Sequence, residues 1–142
     1  MSLEVAEHLP REYAETFVDS LVKLGAVILF SAAIPLQGGI NHLNEQWPDY
    51  WTNYFQKKGY MGVDCIRKKI WQNDNVGYWY AQNILMFVRQ DYLENHHLLK
   101  REFENTLISQ LSISCSTFKS LIHICCQHSG VRVWGFMNAQ FR

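Results

Sequence analysis

Two carboxylates and an imidazole lie close together at the start of the chain, Glu4, Glu7 and His8, in an E-x-x-E-H spacing. Residues at i, i+3 and i+4 are neighbours on one side of a helix, so the three side chains converge if a helix starts near Val5. If residues 2–5 are the tail of a buried strand, the same group stands at its carboxyl end, where open α/β sheets bind their ligands. His42 is a second candidate, set in a Gly- and Asn-rich stretch from 35 to 44. An imidazole there is matched to accepting a proton from a substrate hydroxyl or amine near neutral pH, so His42 is the candidate catalytic residue. The alternative is an ordinary polar loop residue. Trp47 and Tyr50 follow the loop and are candidates for a substrate-binding wall, whereas Trp51, Tyr54 and Phe55 at helical spacing read as core. Arg67, Lys68 and Lys69 read as a solvated edge that discourages sheet-to-sheet pairing. His123, Cys125, Cys126 and His128 are too crowded for the usual zinc spacing and have no second ligand pair, so no native metal site is expected there.

Regular elements are needed to hold these groups in place. Pro10 suits a first helical turn, and Glu12 and Glu15 put negative charge near its N-terminus. Ala14, Phe17, Val18, Leu21 and Val22 then repeat at helical spacing, with Gly25 in the place of a terminating glycine. Residues 26–33 lack polar alternation, which predicts a strand covered on both faces in a parallel sheet. The loop 35–44 would leave its carboxyl end. Pro48 opens a second helix through Lys57, closed by Gly59. Residues 60–65 read as a third strand, extended by 67–71, and 78–88 as a fourth, about a turn at 73–77. A connection of about five residues joins only antiparallel neighbours. Residues 91–105 read as charged and helical or extended, 117–128 as a short helix and 131–137 as a strand.

A chain of 142 residues with 48% hydrophobic and 18% charged residues supports one globular domain. Thirteen basic and thirteen acidic residues cancel, so no net field draws nucleic acid or an anionic membrane. Cys65, Cys115, Cys125 and Cys126 form a poor disulfide framework, which favours a reducing cytoplasm. Glu4, Glu7 and Glu12 occupy the region where a secretory signal needs an apolar segment. The longest apolar run, 24–36, falls short of the roughly 20 residues that span a bilayer.

The element order, opening on Glu4-Val5-Ala6-Glu7-His8-Leu9-Pro10, resembles the second half of a class I S-adenosylmethionine-dependent methyltransferase. The segment from Gly38 to Trp51, GG-x-NH-x-NEQWP-x-YW, is similar to that of bacterial small-molecule members, as are Lys69-Ile70-Trp71 and Trp79-Tyr80-Ala81-Gln82-Asn83. The resemblance implies an α/β fold, part of a doubly wound Rossmann-like sheet comprising its strands four to seven with the last antiparallel. It covers 1–105 and leaves 106–142 as an unassigned tail, poorly ordered in expectation. It implies methyl transfer to a small-molecule acceptor. The family's glycine-rich loop and ribose-binding acidic residue have no counterpart in this sequence, so the chain alone is expected to be incomplete and weakly active or inactive. Only the cofactor wall near the methionine moiety would remain, at Ser2, Leu3 and Glu4. In related ubiquinone-biosynthesis and small-RNA methyltransferases E-x-x-E-H holds a divalent metal, completed in the latter by a loop histidine. Carried over, that metal set is Glu4, Glu7, His8 and His42, suited to Mg²⁺, Mn²⁺ or Zn²⁺. The alternative is that Glu7 and His8 cap a helix while Glu4 faces the cofactor pocket. A rival function is a non-catalytic remnant acting as an interaction module or an unstable fragment, self-associating through the exposed sheet edge.

Overall fold

A computed structural model describes residues 1–111. The apolar run that begins at Val27 forms β2 (Val27–Ser31), and Ser2–Leu3 (β1) pairs parallel to it, Ser2 opposite Phe30 and Leu3 opposite Ser31. Tyr60–Val63 (β3) and Leu85–Arg89 (β4) complete a mixed four-stranded sheet in the order β1-β2-β4-β3. β4 runs antiparallel to both neighbours, with Phe87 opposite Ile28 on one side and Gly62 on the other. The chain is therefore α/β, with β1, β2 and β3 running the same way and the adjacent β1 and β2 ending at the same edge of the sheet.

Helices α1 (Ala14–Val22) and α2 (Pro48–Lys57) pack on one face. Phe30 meets Trp51 at 5.3 Å and Phe55 at 5.4 Å between ring centroids, and Phe55 stacks on Phe87 at 3.9 Å. Pro48 stands at the first position of α2, as its missing N–H allows. Gly59 follows the helix with φ 76°, the left-handed conformation that glycine adopts without strain. Gly25 does not play that part for α1, because among the described glycines only Gly38 and Gly59 have positive φ. Instead the Tyr60 hydroxyl reaches the carbonyls of Val22 at 3.1 Å and Gly25 at 2.7 Å, satisfying the helix end from the sheet.

The opposite face is covered less evenly. Val63, Cys65, Val88 and Leu93 form a second core, packed by Leu99 and Phe103 of α6 (His97–Leu111). The Asp64 N–H donates to Thr106 Oγ1 at 3.0 Å and ties α6 to the end of β3. Ile28 and Phe30 of β2 face the aromatic core. On its other face Leu29 is half-buried and Ser31 fully buried, so the expected two-sided cover lapses only at the strand's start, where Val27 is 42% exposed.

The connection between β3 and β4 is also not a tight hairpin. Residues 67–71 do not extend a strand, and 78–83 do not open one; they form α3 (Arg67–Ile70) and α4 (Tyr78–Asn83). The Arg67 guanidinium holds Asp64 Oδ1 at 2.9 Å and the Gln82 carbonyl at 3.3 Å, fastening both short helices to the strand ends. The turn at 73–77 is present, with Val76 N–H donating to Asn73 O, but it joins helices. Residues 91–105, read as helical or extended, fall in α5 (Gln90–Glu94) and α6, which continues past residue 105. The expected helix 117–128, the strand 131–137 and the His123–His128 cluster lie outside the described residues. Among the described residues no helix is long and apolar enough to cross a membrane.

Candidate metal centre

The chain leaves β1 through a bend at Glu4, which has φ 52° and donates its N–H to the carbonyl and Oγ of Ser31 at 3.0 and 3.1 Å. Residues Ala6–His8 then form a single 3₁₀ turn. In this turn Glu7 points into the protein and is fully buried, while the adjacent His8 is exposed. The Glu7 carbonyl accepts the N–H groups of Leu43 at 2.7 Å and Asn44 at 2.9 Å, which docks the loop after β2 directly onto the turn.

That loop is folded around one carboxylate. Glu45 accepts the Leu36 N–H at 2.9 Å, the Gly38 N–H at 3.0 Å and His42 Nδ1 at 2.9 Å. Leu36, Gly38 and Asn41 all have positive φ, at 74°, 72° and 60°, so the backbone is coiled tightly enough to present successive groups to Glu45. Gly39 lies against the His42 ring, and any Cβ there would overlap it. On the other side the Asn41 carbonyl lies 3.2 Å from His8 Nδ1. The two imidazoles meet edge to face, with centroids 4.9 Å apart.

The result is a cluster in which one donor atom each of Glu7, His8 and His42 lies within 4.8 Å of the others. Glu7 is the anomaly that gives it meaning. Neither carboxylate oxygen has a well-formed hydrogen bond, although both are buried; the backbone N–H groups of Glu7 and Ala33 lie near without meeting bonding geometry. Burial pushes its pKa up from 4.5 and the charge of Glu4 adds to this; the backbone amides of Glu7 and Ala33 and the nearby His8 only partly offset it. An isolated carboxylate in such a place costs free energy unless it is protonated or meets a cation.

No protein-family model, curated protein or solved structure matches the chain. The case for the site therefore rests on its own residues. A two-histidine, one-carboxylate set suits borderline divalent ions, and both imidazoles have Nδ1 engaged, which leaves Nε2 available. Donors about 2.0–2.2 Å from an ion lie at most about 4.4 Å apart, so binding would draw the cluster slightly closer. His42 Nε2 has one lone pair, and it serves either an ion or a proton.

Glu4 does not join the cluster. The i, i+3, i+4 convergence requires helical backbone from residue 4, whereas Glu4 is left-handed and Val5 has φ −128°. Its carboxylate instead accepts Gln37 Nε2 at 3.0 Å and Asn83 Nδ2 at 3.2 Å, and Asn83 also donates to Gln37 Oε1 at 2.7 Å. Ser2 and Leu3 sit in β1 beside this network, Ser2 buried with its Oγ unpartnered. Trp47 precedes α2 in extended conformation and is half-buried. Tyr50 packs edge to face on Trp51 and Tyr54 with the Arg11 guanidinium over its ring, and burial raises its phenol pKa. Sequence reasoning did not single out Gln37, Gly39, Glu45 or Asn83 as functional. Glu45 had a legible signal, standing three residues after His42; Gln37 and Asn83 meet only through the fold.

Proposed function

We propose that this chain is the acceptor-side half of an S-adenosylmethionine-dependent methyltransferase, with a divalent metal centre at Glu7, His8 and His42. The observation that carries the reading is the strand order β1-β2-β4-β3, in which two parallel strands end beside the candidate site and an antiparallel strand is inserted next to them. That order agrees with the arrangement expected for strands four to seven of the family. In that reading Ser2, Leu3 and Glu4 line the methionine end of the cofactor, with Gln37 and Asn83 fixing the Glu4 carboxylate in place.

In-line methyl transfer depends chiefly on holding donor and acceptor in attack geometry. The metal, when bound, would act as a Lewis acid toward an acceptor oxygen. Glu7, His8 and His42 would hold it, with the Glu7 carboxylate supplying the negative charge and the two imidazoles the nitrogen ligands. Where no ion is bound, His42 Nε2 is the group able to take the acceptor's proton.

The test is methyl transfer from labelled S-adenosylmethionine to a panel of small hydroxylated and amino acceptors. It is run on this chain alone and on the chain joined to a methyltransferase first half carrying the glycine-rich loop. Product formed by the joined protein and lost in His42→Ala is the expected result. Failure of the joined protein to bind the cofactor overturns the reading, and micromolar binding by the chain alone overturns its incompleteness.

A further inference from the structure

We propose that Glu45, which lies outside the donor cluster, is the positioning residue of the site: it sets His42 as the Nδ1–H tautomer and, through the loop it closes, aligns His8 in the same way. An ionised carboxylate has no proton to give, and Glu45 already accepts two backbone N–H groups from Leu36 and Gly38. The 2.9 Å contact to His42 Nδ1 therefore has the imidazole as donor. A neutral ring that carries its proton on Nδ1 has its lone pair on Nε2. The same logic applies to His8, whose Nδ1 faces the carbonyl of Asn41, a group that can only accept.

Both assignments come from one ten-residue coil. Asn41 reaches His8 because its φ of 60° turns the carbonyl outward from a loop whose ends are gathered by Glu45. Gly39 lies against the His42 ring, and its lack of a Cβ leaves the room in which the imidazole reaches Glu45. The loop is fixed to the turn beneath it by the bonds from Leu43 and Asn44 to the Glu7 carbonyl. Partners of this kind, behind a ligating histidine, orient the ring and raise its basicity, and losing one weakens metal affinity about 10–100-fold. The inference rests on the metal-centre reading for its consequence, but the tautomer it assigns exists without any metal.

Two measurements separate the parts. Long-range ¹H–¹⁵N spectra of the metal-free chain at about pH 8.5, well above the ordinary imidazole range near 6.5, should show both His42 and His8 protonated on Nδ1. Glu45→Gln replaces one acceptor oxygen by a donor and should release His42 from that single form. Titration with Co²⁺, followed by its visible absorption, should give an affinity about 10–100-fold weaker in Glu45→Gln than in the unsubstituted chain. An Nε2–H tautomer at His42 in the unsubstituted chain overturns the proposal, even if Glu45→Gln proves unable to fold. So does a Glu45→Gln affinity within twofold of the original. Absence of Co²⁺ binding by the unsubstituted chain, with both rings Nδ1-protonated, sinks the metal centre and leaves the positioning role standing.

Discussion

A buried carboxylate without a well-formed hydrogen bond is the residue-scale fact from which the rest follows. Because the pKa of Glu7 is raised in the folded chain, its contribution to stability is fully present below about pH 4.5 and is lost as pH rises through the raised value. Glu7→Gln removes that ionisation, so with chelator present it should melt several degrees higher than the original at pH 8 and show no such gain at pH 4. The scale is about 1–3 kcal/mol, that of an unsatisfied buried polar group. Thermal melts at the two pH values check it, and an unchanged melting temperature at pH 8 contradicts the stored cost. Gly39→Ala tests the neighbour. The atoms in its way belong to the His42 side chain, which can swing aside, so global stability should change by less than about 1 kcal/mol while His42 loses its bond to Glu45. Metal affinity should fall with the fold intact; loss of the fold itself would show that the ring is not the yielding part. The E-x-x-E-H spacing and His42 were visible in the sequence as chemistry. Which carboxylate faces the histidines was not, because that depends on one left-handed backbone at Glu4.

At the scale of elements, periodicity located what apolar faces determine and missed what polar ties determine. The helix over α1, the helix opened by Pro48 and the apolar strand β2 follow from residue spacing, because each buries one side against the same core. The 67–83 stretch is rich in aromatic residues and reads as strand by composition. Its helices are held instead by Arg67, through contacts to Asp64 and the Gln82 carbonyl that no local pattern encodes. The tightest ring contact between α2 and the sheet is the Phe55–Phe87 stack, both rings fully buried, with Trp51 and Phe55 also on Phe30. Phe55→Ala should destabilise the chain by about 3–5 kcal/mol through lost burial and the cavity left beside Phe30. Denaturant unfolding measures this, and a loss below about 1 kcal/mol would mean that α2 repacks without its aromatic anchor.

For the whole molecule, the site is where distant parts of the chain are joined with few other bonds. β1 pairs with β2 over only two residues, so the first segment is held also by the Glu4–Ser31 bonds, by Gln37 and Asn83 on the Glu4 carboxylate, by the buried Ala6 and by the loop lying on Glu7. An ion shared by Glu7, His8 and His42 would link residues on either side of β2, and it can form only when both segments are in place. Binding restricted to the folded state stabilises by RT ln(1 + [L]/Kd), about 2.7 kcal/mol at a hundredfold excess over Kd. Saturating Mn²⁺ or Zn²⁺ should therefore raise the melting temperature and slow hydrogen exchange at the Leu43 and Asn44 amides, which bond the Glu7 carbonyl. Below the raised pKa of Glu7 a proton competes with the ion for that carboxylate, so apparent affinity should fall as pH drops through that range. Glu7→Gln should cancel the whole effect. Equal stabilisation of the original and the Glu7→Gln chain would place the ion elsewhere and remove the reason for burying this carboxylate between two histidines.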